Sequence, residues 1–178
     1  DCSGNQLEGL DIQGNPGLEF LNCSGNNLSG LDISANLNLS TLDCSANQLD
    51  SLNLQTNPGL LFLDCSSNQI DSLDASRNSA LFAFNCSANE LELLNVRNGN
   101  NPGLLEFAAS NNPNLHCIQV DAPAWAVANW SEDVDPTATF SADCETFTDI
   151  SVPFEQGSLS LYPNPTTGEL TLALGAAY

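Results

Sequence analysis

Five cysteines recur at a constant interval and are the residues best placed for chemistry. They are spaced 21 residues apart, at Cys2, Cys23, Cys44, Cys65 and Cys86. Thiols in such a column can be buried as small apolar groups, pair as disulfides between neighbouring repeats, or bind a metal ion. Stacked side chains run parallel, and no Cys-x-x-Cys pair or companion histidine accompanies them. Buried free thiols are therefore the favoured interpretation, with the other two left open.

Acidic and amide side chains form two further columns, which are the candidate cation ligands. One column is Asp11, Asp32, Asn53, Asp74 and Asn95, and the other is Asp1, Asn22, Asp43, Asp64 and Asn85. Like charges about 5 Å apart repel by roughly 1 kcal/mol even in water. Interleaved asparagine relieves part of this repulsion, and bound Ca²⁺ would relieve more. Solvated polar columns are the favoured interpretation, and Ca²⁺ binding at an unspecified site is the alternative.

No arrangement of residues typical of an active site is visible in the sequence. The sole histidine, His116, adjoins Cys117, and neither a Gly-x-Ser-x-Gly motif nor a glycine-rich phosphate loop occurs. Two basic residues against 22 acidic ones give a net charge of −20, which excludes recognition of nucleic acid or of anionic lipid by a basic surface. No apolar run is long enough to span a membrane. We predict a protein that is not an enzyme and has no catalytic residues.

The elements that position these columns are the two halves of a repeated coil. One half reads Leu18-x-x-Leu21-x-Cys23-x-x-Asn26-x-Leu28, and the next reads Leu28-x-x-Leu31-x-Ile33-x-x-Asn36-x-x-Leu39. The pattern resembles the leucine-rich repeat, with cysteine in one leucine position. It is similar to repeats of secreted Bacteroidota proteins and distantly similar to internalin-type adhesins. The resemblance implies a right-handed solenoid of about five coils with parallel strands over residues 1–118.

Strand alternation predicts which residues of each coil are buried. Leu21 and Cys23 should face the core, whereas Phe20, Asn22 and Ser24 should face outward. Each asparagine of the column Asn5, Asn26, Asn47, Asn68, Asn89 and Asn112 falls where the chain turns. Its amide is expected to bond to backbone groups of the turn and of the neighbouring coil.

A segment without the repeat follows and is predicted to cap the last coil over residues 119–144. Trp125, Trp130 and Phe140 supply the apolar surface for this cap. Cys117 and Cys144 lie outside the cysteine column, so we predict a disulfide between them, with two free thiols as the alternative. An oxidised pair would place the protein outside the cytoplasm.

The end of the chain contains a second motif. Residues 145–157 are predicted to be a linker, and residues 158–178 contain Tyr162-Pro163-Asn164-Pro165-Thr166-Thr167-Gly168. This motif resembles the start of a type IX secretion sorting domain, which implies an extracellular or outer-membrane surface location. The resemblance covers only the beginning of such a domain. Two Asp-Ser-Leu sequences, at Ser51 and Ser72, resemble the O-glycosylation motif of Bacteroidota secreted proteins.

These features together predict a non-enzymatic interaction or adhesion protein. Aligned coils place exposed apolar residues beside the first strand, and the predicted interaction residues are Phe20, Leu61, Phe62 and Phe82. The first coil begins inside the repeat, and the tail alternates like a strand. We therefore predict self-association through the first coil and the tail, which would assemble a fibre head to tail. The alternative is a carbohydrate- or cation-binding module of a larger secreted protein.

Overall fold

Copies of the same residue lie on neighbouring strands, as the 21-residue spacing predicts. The structure, a computed structural model, describes residues 1–144, 161–163 and 170–172. The chain divides into two units, Asp1–Glu145 and Thr146–Tyr178. Strands of the first unit are β1 (Phe20–Asn22), β2 (Thr41–Asp43), β3 (Phe62–Asp64), β4 (Ser72–Asp74), β5 (Ala83–Asn85), β6 (Leu93–Asn95), β7 (Glu106–Ala108), β8 (Cys117–Gln119) and β9 (Thr139–Ser141). A 3₁₀ turn covers Asn101–Gly103, and helix α1 covers Pro123–Trp130.

A five-stranded sheet forms one side of the solenoid, in the order β1-β2-β3-β5-β7. All four pairings are parallel, and each buried central residue lies opposite its copy, as Leu21 does opposite Leu42. Paired residues are 21 positions apart in sequence along the first four strands of the sheet. Between β5 and β7 the separation is 23, because two residues are inserted, and Phe84 pairs with Phe107. The fold prediction is confirmed: the unit is a parallel β-solenoid with coils of about 21 residues.

The second sheet contains four strands in the order β4-β6-β8-β9, which are also parallel. The sequence predicts a strand in this half of every coil, but residues 1–71 form none there. Leu31 and Leu52 are nevertheless buried at the equivalent positions. Gly9 and Gly30 occupy the outward position that Leu93 takes in β6, and glycine favours strands poorly. Burial thus repeats in all coils, whereas regular pairing does not.

The core is a single continuous cluster made by leucines and the cysteine column. The thiols of Cys23, Cys44, Cys65 and Cys86 are fully buried, as are the side chains that follow the asparagine turns at Leu28, Leu49, Ile70 and Leu91. The column ends in Ala109, which is also fully buried. A single coil could not bury its apolar side, so the core exists only because coils stack. Within residues 1–144, 161–163 and 170–172, no helix has the length and apolar character to cross a membrane.

Asparagine turns connect each coil to the next. The Asn26 Nδ2 donates to the carbonyl oxygen of Cys23 in its own coil and to that of Cys2 in the preceding coil, both at 3.0 Å. Its Oδ1 accepts the backbone N–H of Leu7 at 3.0 Å. Equivalent bonds recur at Asn47, Asn68, Asn89 and Asn112. The residue before each of these asparagines has a positive φ, and in the earlier coils it is Gly4 or Gly25.

The segment after the repeats packs against the last coil. Trp130 is 3 % exposed and its ring lies 4.5 Å from that of Phe107 in β7. The rings of Trp125 and Phe140 lie 5.2 and 6.2 Å from Trp130. The predicted end of the solenoid at residue 118 falls inside β8, because β9 continues the second sheet. The three predicted aromatics thus surround one buried tryptophan.

Cys117 and Cys144, the pair predicted from the sequence, form a disulfide. In the second unit, β10 (Leu161–Pro163) and β11 (Leu170–Leu172) pair in antiparallel orientation. The predicted linker and the rest of the sorting-domain-like segment lie outside the described residues.

Candidate functional site

The outer face of the five-stranded sheet is the candidate site, and we call it the sheet face. Two outward columns flank the buried central residues. The first is Phe20, Thr41, Phe62, Ala83 and Glu106, and the second is Asn22, Asp43, Asp64, Asn85 and Ala108. A groove runs across β2, β3, β5 and β7 and is lined by both columns. It is the place where exposed apolar side chains meet the half-buried carboxylates of Asp43 and Asp64.

An apolar cluster borders the first column. Its members are 39–66 % exposed: Leu61, Phe62, Phe82 and Leu105. The rings of Phe62 and Phe82 lie 5.7 Å apart and tilted by 56°, a favourable aromatic pair. Thr41 separates Phe20 from Phe62, so Phe20 lies apart from this cluster.

The backbone holds the apolar cluster in place. The N–H of Leu61 donates to the Ser40 carbonyl, and the N–H of Phe82 donates to the Leu61 carbonyl, each at 2.8 Å. The N–H of Leu105 donates to the Phe82 carbonyl at 3.0 Å. The exposed side chains therefore stand on a hydrogen-bonded ladder, which limits the entropy lost when a partner covers them.

The second column has fixed carboxylates. The Asp43 Oδ1 accepts the N–H of Ser45 at 3.1 Å and its hydroxyl at 2.7 Å. The Asp64 Oδ1 accepts the same two groups of Ser66 at 2.9 and 2.6 Å. Asn22 and Asn85 make the same bonds to Ser24 and Ser87. In each turn the Oδ1 atom accepts two hydrogen bonds from one serine, which restrains the orientation of the side chain.

The second carboxylate oxygens of Asp43 and Asp64 differ in their hydrogen bonds, and both residues line the groove. The Asp64 Oδ2 accepts a bond from the Asn85 Nδ2 at 3.1 Å. The Asp43 Oδ2 accepts none from the described residues. Neither arginine lines the groove, and the Arg97 guanidinium donates to the Ala142 carbonyl at 3.3 Å beside the other sheet. The sheet face is therefore acidic without a neighbouring cation.

The cysteine column consists of free thiols, which are buried at every position except the half-buried Cys2. Cys2, Cys23, Cys44, Cys65 and Cys86 are unpaired. Burial raises the pKa of the Cys23 thiol to about 12 and raises the pKa values of Cys44, Cys65 and Cys86 in the same direction. The nucleophilic thiolate is thus suppressed near neutral pH. Cys23, Cys44, Cys65 and Cys86 thus lie in the core cluster as small apolar groups.

The acidic column that contains Asp32 and Asp74 lies on the side of the coils that carries the second sheet. Its carboxylates also bond to the backbone two residues on, as the Asp32 Oδ1 does to the Ser34 N–H at 2.9 Å. Hydrogen bonds from Ser34 lower the pKa of Asp32 below its usual value. Among the described residues, no group of three or more histidine, cysteine, aspartate or glutamate side chains is placed to hold a metal ion.

Three other residues singled out in the sequence are exposed. The hydroxyls of Ser51 and Ser72 donate to the neighbouring Asp50 and Asp71 carboxylates at 2.8 and 2.9 Å. Their glycosylation stays a prediction. The His116 side chain is exposed, and its carbonyl accepts the Thr139 N–H at 2.9 Å.

Sequence reasoning left two parts of the sheet face out of the interaction set. Leu105, 66 % exposed, extends the apolar cluster, and its position in the same aligned column as Leu61 and Phe82 was the available signal. The sequence predicts Asp43 and Asp64 to be solvated, with Ca²⁺ binding as the alternative, and does not assign them to the interaction surface. The groove brings them onto the same face as Phe62.

No protein-family model and no curated protein matches the chain. Among solved structures, it is similar to one described as the functional domain of InlJ from Listeria monocytogenes, which includes a cysteine ladder. The two are 23 % identical with a TM-score of 0.49, over 75 % of this chain and 36 % of that one. The chain spans little more than a third of that structure's length. We draw no conclusion from this likeness, because the register of the chain's own strands already defines the solenoid.

Proposed function

We propose that the chain is a non-enzymatic, extracellular interaction module that binds a protein partner on the sheet face. The observation that carries the proposal is the apolar cluster. Four large side chains, Leu61, Phe62, Phe82 and Leu105, are held exposed on a rigid ladder beside a groove. Contiguous exposed apolar surface of this kind is typical of an interface.

Two features support an extracellular location. The disulfide between Cys117 and Cys144 is the kind of bond that persists in oxidising compartments. The Tyr162–Gly168 motif resembles a sorting signal for export. Adhesion is the corresponding finer proposal. Head-to-tail self-assembly is a separate proposal, and sedimentation velocity across a hundredfold concentration range tests it, because a strictly monomeric protein would contradict it.

Site-specific crosslinking tests the binding face. A photoreactive benzoylphenylalanine replaces Ala83 in the groove or, as the control, Asn53 on the other side of the coil. We expect an adduct with an identified extracellular protein at position 83 and none at position 53. The purified partner should then bind saturably.

Residues at equivalent positions of earlier coils suggest the substitutions for this experiment. Phe62→Thr copies Thr41 of the preceding coil, and Phe82→Ser copies Ser40 at the equivalent position. We expect the double variant to lose at least tenfold in affinity for the identified partner, with unchanged stability. Equal affinity, or adducts at both positions, would contradict the proposal.

A carbohydrate ligand is the second candidate. The groove places Phe62 near the carboxylates and amides of the second column, and such groups can stack on and bond to sugars. Saturable binding of an oligosaccharide at the sheet face, with no protein adduct, would favour this alternative.

A further inference from the structure

The two sides of the groove differ in chemistry. The apolar cluster lies beside the first column, and Asp43 and Asp64 lie in the second column. An extended polypeptide directs successive side chains to opposite sides. A segment that runs along the groove would therefore turn every second side chain toward Asp43 and Asp64. The others would face the side of Phe62, where Thr41, Ala83 and, at the β7 end, Glu106 also line the groove.

We infer that the partner segment is a short extended peptide in which basic and apolar residues alternate. This inference rests on the proposed function and specifies the class of partner. Asp43 and Asp64 face adjacent positions with one oxygen of each fixed by a serine. Arginine or lysine complements these charges, and the planar guanidinium matches carboxylate geometry.

The length of the groove limits the segment. The groove crosses four strands, from β2 to β7. Three intervals between neighbouring strands span about 14 Å, which is the length of about four extended residues. A pentapeptide is thus long enough to cover the groove.

Charge complementarity argues against a second copy of this chain as the occupant. The 178 residues contain two basic side chains, Arg77 and Arg97, against 22 acidic ones. These residues therefore include no segment in which basic and apolar side chains alternate. A sheet face of one copy placed against another would bring acidic columns together, which is unfavourable.

A designed peptide tests the inference. The probe is a fluorescein-labelled pentapeptide that alternates arginine and leucine, and the comparison peptides replace arginine with glutamate or leucine with serine. Binding is measured by fluorescence anisotropy at 50 and 300 mM NaCl, and amide chemical shifts locate the bound peptide. We expect saturable binding of the arginine–leucine peptide at the sheet face, weaker at high salt.

Matched variants separate local recognition from attraction by the net charge. Asp43→Asn with Asp64→Asn removes two charges at positions where Asn22 and Asn85 already make the same turn. Asp32→Asn with Asp74→Asn removes two charges from the other side, where Asn53 and Asn95 occur in the same column. We expect the first pair to weaken binding at least fivefold and the control pair less than twofold.

Four outcomes would overturn the inference. The first is that the arginine–leucine peptide does not bind at millimolar concentration, and the second is that both pairs of variants weaken its binding equally. The third is that the amide chemical-shift changes lie outside the groove. The fourth is that the glutamate peptide binds as tightly as the arginine peptide. The proposed function survives each of them if a protein adduct still forms at position 83 and Phe62→Thr with Phe82→Ser weakens it. Absence of that adduct, by contrast, removes the proposed function itself.

Discussion

The Oδ1 of Asn47 accepts the backbone N–H of Leu28 in the preceding coil at 3.0 Å. The Nδ2 of the same side chain donates to the carbonyl oxygens of Cys23 and Cys44, each at 3.1 Å. One buried amide therefore joins backbone groups of two coils.

We expect Asn47→Ala to destabilise the protein by about 2 kcal/mol, because a buried polar group left without a partner costs about 1–3 kcal/mol. The cost falls mainly on the Leu28 N–H. The two carbonyls each retain a second amide donor, from Asn26 and Asn68. Urea unfolding measures the change.

The control for this substitution is Asn27→Ala, because Asn27 is exposed and follows the equivalent turn at Asn26. Its free energy of unfolding should change by less than about 0.5 kcal/mol. Similar losses in the two variants would show that the Asn47 amide has no special role.

A further set of buried asparagines, spaced 21 residues apart at Asn36, Asn57 and Asn78, offers a substitution that should stabilise the protein. Within the described part of the chain, the buried Oδ1 atoms of Asn36 and Asn78 have no hydrogen-bond partner. The equivalent oxygen of Asn57 accepts the hydroxyl of Thr56 at 3.0 Å. Ala35 occupies the position of Thr56 in the preceding coil. We expect Ala35→Thr to raise the free energy of unfolding by about 1 kcal/mol.

Ala35→Val separates the hydroxyl from the added volume. Valine has the shape of threonine without its donor, so it should leave stability unchanged or lower. Thermal melting of both variants provides the comparison. If valine stabilises as much as threonine, the orphaned oxygen of Asn36 is not the cause.

The repeat made most of the solenoid predictable. Every inward position of a coil rests on its own copy, so the spacing of Cys23, Cys44 and Cys65 fixed both the register and the burial. The second sheet was less predictable, because a strand at Ser72 depends on a regular neighbour at Leu93. Ser51 occupies the position of Ser72 in the preceding coil and is also a serine, yet it forms no strand.

Other features depended on contacts that spacing does not reveal. The sequence predicted a cap from Trp125, Trp130 and Phe140 but not helix α1, although Pro123 at its first turn and the alanines after it favour a helix. On the sheet face, column alignment placed Phe62 beside Phe82. Spacing could not show that Ser45 occupies only one oxygen of Asp43.

Reduction of the disulfide should destabilise the capped end of the solenoid. Cys117 and Cys144 close a loop with a sequence separation of 27. The chain-entropy argument gives about 3.5 kcal/mol for a loop of this size. We therefore expect dithiothreitol to lower the melting temperature of the wild-type protein. In the Cys117→Ser, Cys144→Ser variant, the reductant should have no effect, and an equal effect in both would contradict the prediction.

Alkaline pH should unfold the protein through its buried thiols. The pKa of a thiol such as Cys65 is raised in the folded state by burial, so the unfolded chain loses this proton first. The stabilisation is complete below the ordinary thiol pKa of 9.0 and is lost as the pH rises above it. Each buried thiol should then lower the free energy of unfolding by up to about 1.4 kcal/mol per pH unit.

Few groups other than the thiols titrate in the alkaline range above about pH 9. The two basic residues are Arg77 and Arg97, so the chain has no lysine, and its tyrosines are Tyr162 and Tyr178. Cys65→Ala tests the origin of the slope, because the column itself ends in a buried Ala109. Urea unfolding between pH 8 and pH 10.5 should give a slope smaller by about 1.4 kcal/mol per pH unit in this variant. Because alanine also removes packing contacts, the comparison uses the slope of the unfolding free energy against pH and not the absolute stability. Identical slopes in the two proteins would exclude the Cys65 thiol as a cause of alkaline unfolding.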